Sequence, residues 1–90
     1  MLNLTTDITD FKGLIAAMGG PSGASDATGI DRRALCNMSS RNAASSVHWR
    51  DFAAGAAKRG IPVDERDFAR WEALAKVERE LAEAAERVAA

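Results

Sequence analysis

The stretch "DERDFARWEALAKVERELAEAAERV", residues 64–88, decides the fold class of this chain. It contains no glycine or proline, and its apolar residues recur at helical rather than strand spacing. Asp64 is the expected N-cap, with Asp67 at the third helical position and Val63 and Phe68 placed as a hydrophobic staple. Three carboxylates at one helix start (Asp64, Glu65, Asp67) therefore read as capping groups at the positive helix end, not as metal ligands. Glu72 with Lys76 and Glu83 with Arg87 stand at i,i+4 in the favourable orientation, each pair worth about 0.3 kcal/mol. Leu74, Val77, Leu81, Ala84 and Val88 alternate steps of three and four, which describes a short coiled-coil-like seam. Phe68 and Trp71 lie off that line and are expected in the domain's own core. At 1.5 Å per residue such a helix spans roughly 38 Å, so its C-terminal third is expected to project from the body. Leu74, Val77, Leu81 and Val88 are then a candidate self-association surface for a homodimer.

Upstream, "SVHWRDFAAGAAKRG" at residues 46–60 holds the sole histidine and one of two tryptophans. The spacing predicts a helix starting between Ala43 and Ser46, with Trp49, Phe52, Ala53 and Ala56 on its buried face. "AAGAA" at 53–57 flattens one side enough for a second helix to approach closely. Lys58 and Arg59 suit the negative helix end, Gly60 the left-handed position beyond it, and Pro62 forbids continuation. A short helix is expected at Arg32–Met38, capped by Asp31 and stapled by Ile30 and Leu35, with a break at Ser39–Asn42. The first helix is expected at Ile8–Met18 with Asp7 as cap, its face formed by Ile8, Phe11, Ile15 and Met18 and its interior weakened by Gly13. Between these two helices, "GGPSGASDATG" at 19–29 has four glycines, a proline and no large apolar residue, which predicts a flexible loop. It matches neither phosphate-loop pattern, and no strand precedes it.

The expected fold is therefore all-α: a small irregular bundle of three longer helices and one short helix, one domain over residues 1–90, with a Gly-rich loop at 19–29. Its core is thin. Alanine supplies 19 of the 42 hydrophobic residues, while Leu, Ile, Val and Phe together number 17. The net charge of −1 hides a segregation. Residues 30–60 carry Arg32, Arg33, Arg41, Arg50, Lys58 and Arg59 against only Asp31 and Asp51, whereas both flanking segments are net acidic. A basic centre between acidic ends is either neutralised within the fold or presented to a partner, and internal pairing is the simpler expectation.

Catalysis finds little support. Cys36 or a serine would have to pair with His48, and no nucleophile motif accompanies either; the expectation is not an enzyme. One cysteine and one histidine rule out an internal disulfide and a Cys/His zinc site, and no other cofactor or metal is expected. Without a basic and apolar leader or an apolar run of spanning length, a cytoplasmic chain without membrane contact is expected.

Binding remains. Arg32, Arg33, Arg41, His48 and Arg50 are the candidate contact residues, toward another protein or a nucleoprotein complex. Residues 31–50 also have the outline of a degenerate helix-turn-helix, with Ser45, Ser46, His48 and Arg50 on the second helix and Val47 as its apolar anchor. In that register Asn37 and Arg41 stand where small residues are usual. Nucleic-acid binding is thus the alternative, a DNA-binding regulator. In size, alanine-rich helical make-up and lack of a catalytic constellation, the chain is similar in kind to small phage-encoded inhibitors of host machinery such as anti-CRISPR proteins, a likeness carried by no residue motif. The favoured expectation is a stoichiometric inhibitor or adaptor acting without turnover.

Overall fold

The computed structural model describes residues 8–89, which are mostly helical and contain no strand. Its elements are α1 (Phe11–Ala17), α2 (Gly20–Thr28), α3 (Arg32–Arg41), a single 3₁₀ turn (Ser46–His48), α4 (Trp49–Lys58) and α5 (Glu65–Ala89). Only α5 is long; the other four α-helices have seven to ten residues.

The largest departure from expectation is α2, which occupies the supposed Gly-rich loop. Gly19 and Gly20, both with positive φ (105° and 77°), let the chain reverse directly after α1, and Pro21 sits in the first helical turn, where its missing N–H costs nothing. Ala24 and Ala27 are fully buried, and α2 packs against α1, α3 and α4 together. Its small side chains are what permit this central position. A Cβ on Gly23 would collide with the carbonyl of Met18 at the end of α1. One on Gly55 of α4 would stand 2.7 Å from Thr28 Cγ2 and 3.1 Å from Ala27 O. The close approach anticipated for "AAGAA" therefore occurs, and α2 is the helix that makes it. Thr28 finishes the element by donating to Ala24 O (2.7 Å) and accepting from Ile30 N (3.1 Å).

Helix boundaries shift for local reasons. α1 begins at Phe11 because Asp10, extended at φ −158°, accepts from Gly13 N (2.7 Å) as its cap. The proposed Asp7 cap lies outside the described residues. Met18 becomes the C-cap. α3 runs through the supposed break to Arg41 and ends at Asn42, which adopts φ 55°; Asn42 N–H donates to Ser39 O and Ala43 N–H to Met38 O, the paired bonds of a Schellman ending. The Asn42 side chain then reaches α1, accepting from Lys12 N (3.0 Å) and donating to Asp10 Oδ2 (3.3 Å). Asn42 thus closes one helix and caps another. α4 starts at Trp49, later than expected, because residues 46–48 take up the 3₁₀ turn; Trp49 Nε1 donates to Ala44 O (3.1 Å). Its end follows expectation: Gly60 has φ 71°, Gly60 N–H bonds Ala57 O, and Ile61 N–H bonds Ala56 O at 2.8 Å. Arg59 reaches back from the α4 C-cap to Met18 O (3.3 Å) and Gly23 O (3.2 Å), fastening the junction of α1 and α2.

The α5 start forms a reciprocal box. Asp64 Oδ1 accepts from Arg66 N (3.0 Å) and Asp67 N (3.4 Å), while Asp67 Oδ2 accepts from Asp64 N (2.9 Å). Desolvation acts to raise the Asp64 carboxyl, but the N–H groups of Asp67 and Arg66 and the Arg66 guanidinium outweigh it and hold the group below its ordinary 3.8.

All five aromatic residues meet in one cluster. Phe11 lies 5.9 Å from Phe52, 5.5 Å from Phe68 and 5.1 Å from Trp71, the last edge-on, and Trp49 stands edge-on to Phe68 at 6.1 Å. Leu14, Ile15, Met18, Ile30 and Leu35 complete the buried set from α1 to α3. Phe68 and Trp71 bind α5 to the body. Beyond them every residue from Glu72 to Val88 is exposed except half-buried Ala75. Glu78 and Arg79 still border clefts against the body, so α5 runs free from about Glu80.

Candidate interaction surface

Helical phase places Arg33, Asn37 and Arg41 on one face of α3. Two shallow depressions border that face and share Asn37. The first, an open groove of about 430 Å³, is lined by Arg41, His48 and Glu72 of α5 together with Ala34, Met38, Ala43 and Ala44. Arg32, Arg33 and Cys36 border the second, together with Asp31. Arg50 is exposed on α4 and lines neither. The structure therefore brings Arg41 and His48 together, sets Arg32 and Arg33 next to them along α3, and leaves Arg50 apart. The chain's thiol and imidazole border different depressions.

Their electrostatic setting overturns the expectation of internal neutralisation. Among the described residues the ion pairs are Arg66–Asp64 (3.5 Å) and Arg70–Asp67 (2.5 Å), both within α5. None involves Arg32, Arg33, Arg41 or Arg50, all of which are exposed. The i,i+4 pairs Glu72–Lys76 and Glu83–Arg87 are also open, as exposed side chains on a solvated helix tend to be. The positive centre is turned outward.

The helix-turn-helix outline does not survive in its expected register. Val47, its apolar anchor, is 75% exposed, and Ser45, Ser46 and His48 precede α4 instead of lying on it. α3 and α4 are joined chiefly through α2, which packs against both.

Phe52 and Ala56 belong to the core and Trp49 and Ala53 pack against it half-buried, on the face their spacing indicated. Of the polar groove residues, Asn37 and Glu72 were missed by sequence reasoning, while Ser45 was offered only for the helix-turn-helix. Asn37 was recoverable from its position midway between Arg33 and Arg41; Glu72 arrives only through the docking of α5.

The seam residues are exposed along α5: Leu74 by 55%, Val77 by 49%, Leu81 by 64% and Val88 by 87%. Among the described residues no helix is long and apolar enough to cross a membrane, and no group of three His, Cys, Asp or Glu is placed to hold a metal ion. No family model, curated protein or solved structure matches the chain.

Proposed function

We propose that this chain is a small non-enzymatic binding module that acts stoichiometrically, as an inhibitor or adaptor, on a larger protein or nucleoprotein complex. The contact surface is the α3 face with its groove: Arg32, Arg33, Arg41 and His48, with Arg50 exposed separately on α4. The observation that carries this reading is the exposure of four arginines without an ion-pair partner among the described residues, one of which, Arg41, lines a groove with alanine and methionine side chains. Arginine next to apolar surface is the composition typical of interface hot spots. The alanine and methionine lining gives an apolar side chain a place to pack that a phosphate backbone cannot use, and suits a protein segment carrying apolar side chains, with acidic ones reaching the arginines along α3.

The test is capture of the partner by tagged parent chain at fixed stoichiometry, in parallel with Arg41→Glu/Arg50→Glu and Arg32→Glu/Arg33→Glu variants of unchanged circular dichroism. Loss of the complex in the variants supports the reading, and retention in both overturns it. Binding of duplex DNA that collapses between about 50 and 200 mM salt would put the DNA-binding regulator in its place.

A further inference from the structure

We propose that α5 from Val77 onward pairs with a second copy of this chain as an antiparallel two-helix seam, in the register that sets Glu80 against Arg87 of the other copy. The seam side chains Val77, Leu81 and Val88 are half to nearly fully exposed, and nothing in the body covers them. Exposure alone names no occupant; the charges beside the seam do. With Leu81 and Val88 at a positions and Val77 and Ala84 at d, the flanking g positions are Glu80 and Arg87 and the flanking e positions Glu78 and Ala85.

Antiparallel pairing places g against g and e against e. With Leu81 opposite Ala84 and Val77 opposite Val88, the two-fold axis generates two Glu80–Arg87 contacts, and Glu78 meets uncharged Ala85. Sliding the helices by one heptad sets Glu80 against Glu80 and Glu78 against Glu78, which repel. A parallel pair opposes Glu80 to Ala85 and Ala73 to Glu78, gaining no ion pair. Charge therefore selects one arrangement. Glu80 and Arg87 are also free to take part, since neither joins an ion pair among the described residues. Leu74 falls outside the overlap and stays with the cleft it forms with Asp10, Asn42 and Trp71.

The overlap comprises four core layers, two of them Leu–Ala, well below the roughly 1,600 Å² of a standard interface. Association is accordingly weak and depends on concentration. Sedimentation velocity and light scattering from micromolar to near-millimolar protein test it, on the parent chain and four variants. The parent should shift toward dimer mass as concentration rises, and Leu81→Glu should remain monomeric. Glu80→Arg and Arg87→Glu alone should each weaken self-association by about ten-fold, since attraction becomes repulsion at both symmetric contacts. An equimolar mixture of these two variants should recover the dimer, because both of its contacts are then Arg–Glu, and the double variant Glu80→Arg/Arg87→Glu should do so by itself. A parent that stays monomeric at every concentration overturns the proposal and leaves the seam to a different chain. Dimerisation indifferent to Glu80 and Arg87 overturns the antiparallel register. Helicity and thermal midpoint of each variant serve as the folding control, and Leu81, Glu80 and Arg87 are all solvent-exposed positions.

Discussion

Gly55→Ala tests the packing of α2 on α4 in a way that opposes helix propensity. In an exposed helix interior this change would stabilise by about 1 kcal/mol, since glycine carries the larger entropy cost. Here the new methyl would lie 2.7 Å from Thr28 Cγ2 and 3.1 and 3.2 Å from the carbonyl O and C of Ala27. Thr28 cannot swing aside freely, because its hydroxyl donates to Ala24 O and accepts from Ile30 N. The backbone of α2 must therefore shift. Overpacking of this kind costs roughly 1–3 kcal/mol, and the carbonyl contacts place the cost in the upper half of that range. Net destabilisation of about 1–2 kcal/mol is expected, a fall in Tm of roughly 5–15 °C for a domain of this size. Urea and thermal unfolding followed by circular dichroism measure it. Ala57→Gly, exposed two residues on, is the control and should cost about 1 kcal/mol through propensity alone. Thr28→Ser removes the clashing methyl and retains the hydroxyl, so in the Gly55→Ala background it should recover part of the loss. A Gly55→Ala protein that is more stable than the parent would refute the packing of α2 against α4.

Asn42→Ala should destabilise more than Asn42→Gly, by about 1 kcal/mol, because both lose the side-chain bonds to Lys12 and Asp10 while only alanine is also strained in the left-handed backbone; equal losses in chemical denaturation would contradict the assigned backbone role. Arg59→Met should cost about 1 kcal/mol by freeing Met18 O and Gly23 O, and Arg59→Lys, without the forked head, should restore at most half. Asp64 has a depressed folded pKa, so its stabilisation is fully present above 3.8 and is lost as pH falls through that value and below. Asp64→Asn keeps the cap at neutral pH and should flatten the acid limb of a stability-versus-pH curve below 3.8; an acid limb as steep as the parent's would show that Asp64 does not contribute to it.

The parts of this fold legible in the sequence are those governed by local rules. Asp64, Asp31 and Gly60 act as the caps their spacing indicates, and α5 runs as one uninterrupted helix. Phe68 and Trp71 separate from the seam because their helical phase points elsewhere. α2 was illegible because the features that mark a loop, glycine and small residues without large apolar ones, are here the conditions for a helix in the centre of a small bundle. Its stability comes from the surfaces of α1, α3 and α4, not from its own propensities. Sequence alone also overstated internal charge pairing. Of the acidic side chains of α5, Glu80, Glu83 and Glu86 lie on the part that runs past the body, away from α3. Arg32, Arg33, Arg41 and Arg50 are left facing water for that geometric reason. The groove could not be foreseen whole, since Arg41 and His48 meet Glu72 only once α5 has docked through its aromatics.

The outward-facing positive centre is the claim on which the functional account stands. The most direct measurement takes the variant Arg32→Gln/Arg33→Gln/Arg41→Gln/Arg50→Gln and compares it with the parent for both thermal unfolding and partner capture. Side chains without an ion-pair partner among the described residues should leave the folded state within about 1–2 kcal/mol of the parent while the complex is lost. A variant that unfolds well below the parent would mean that the arginines hold the fold together. One that folds normally and still captures the partner would place the contact surface elsewhere.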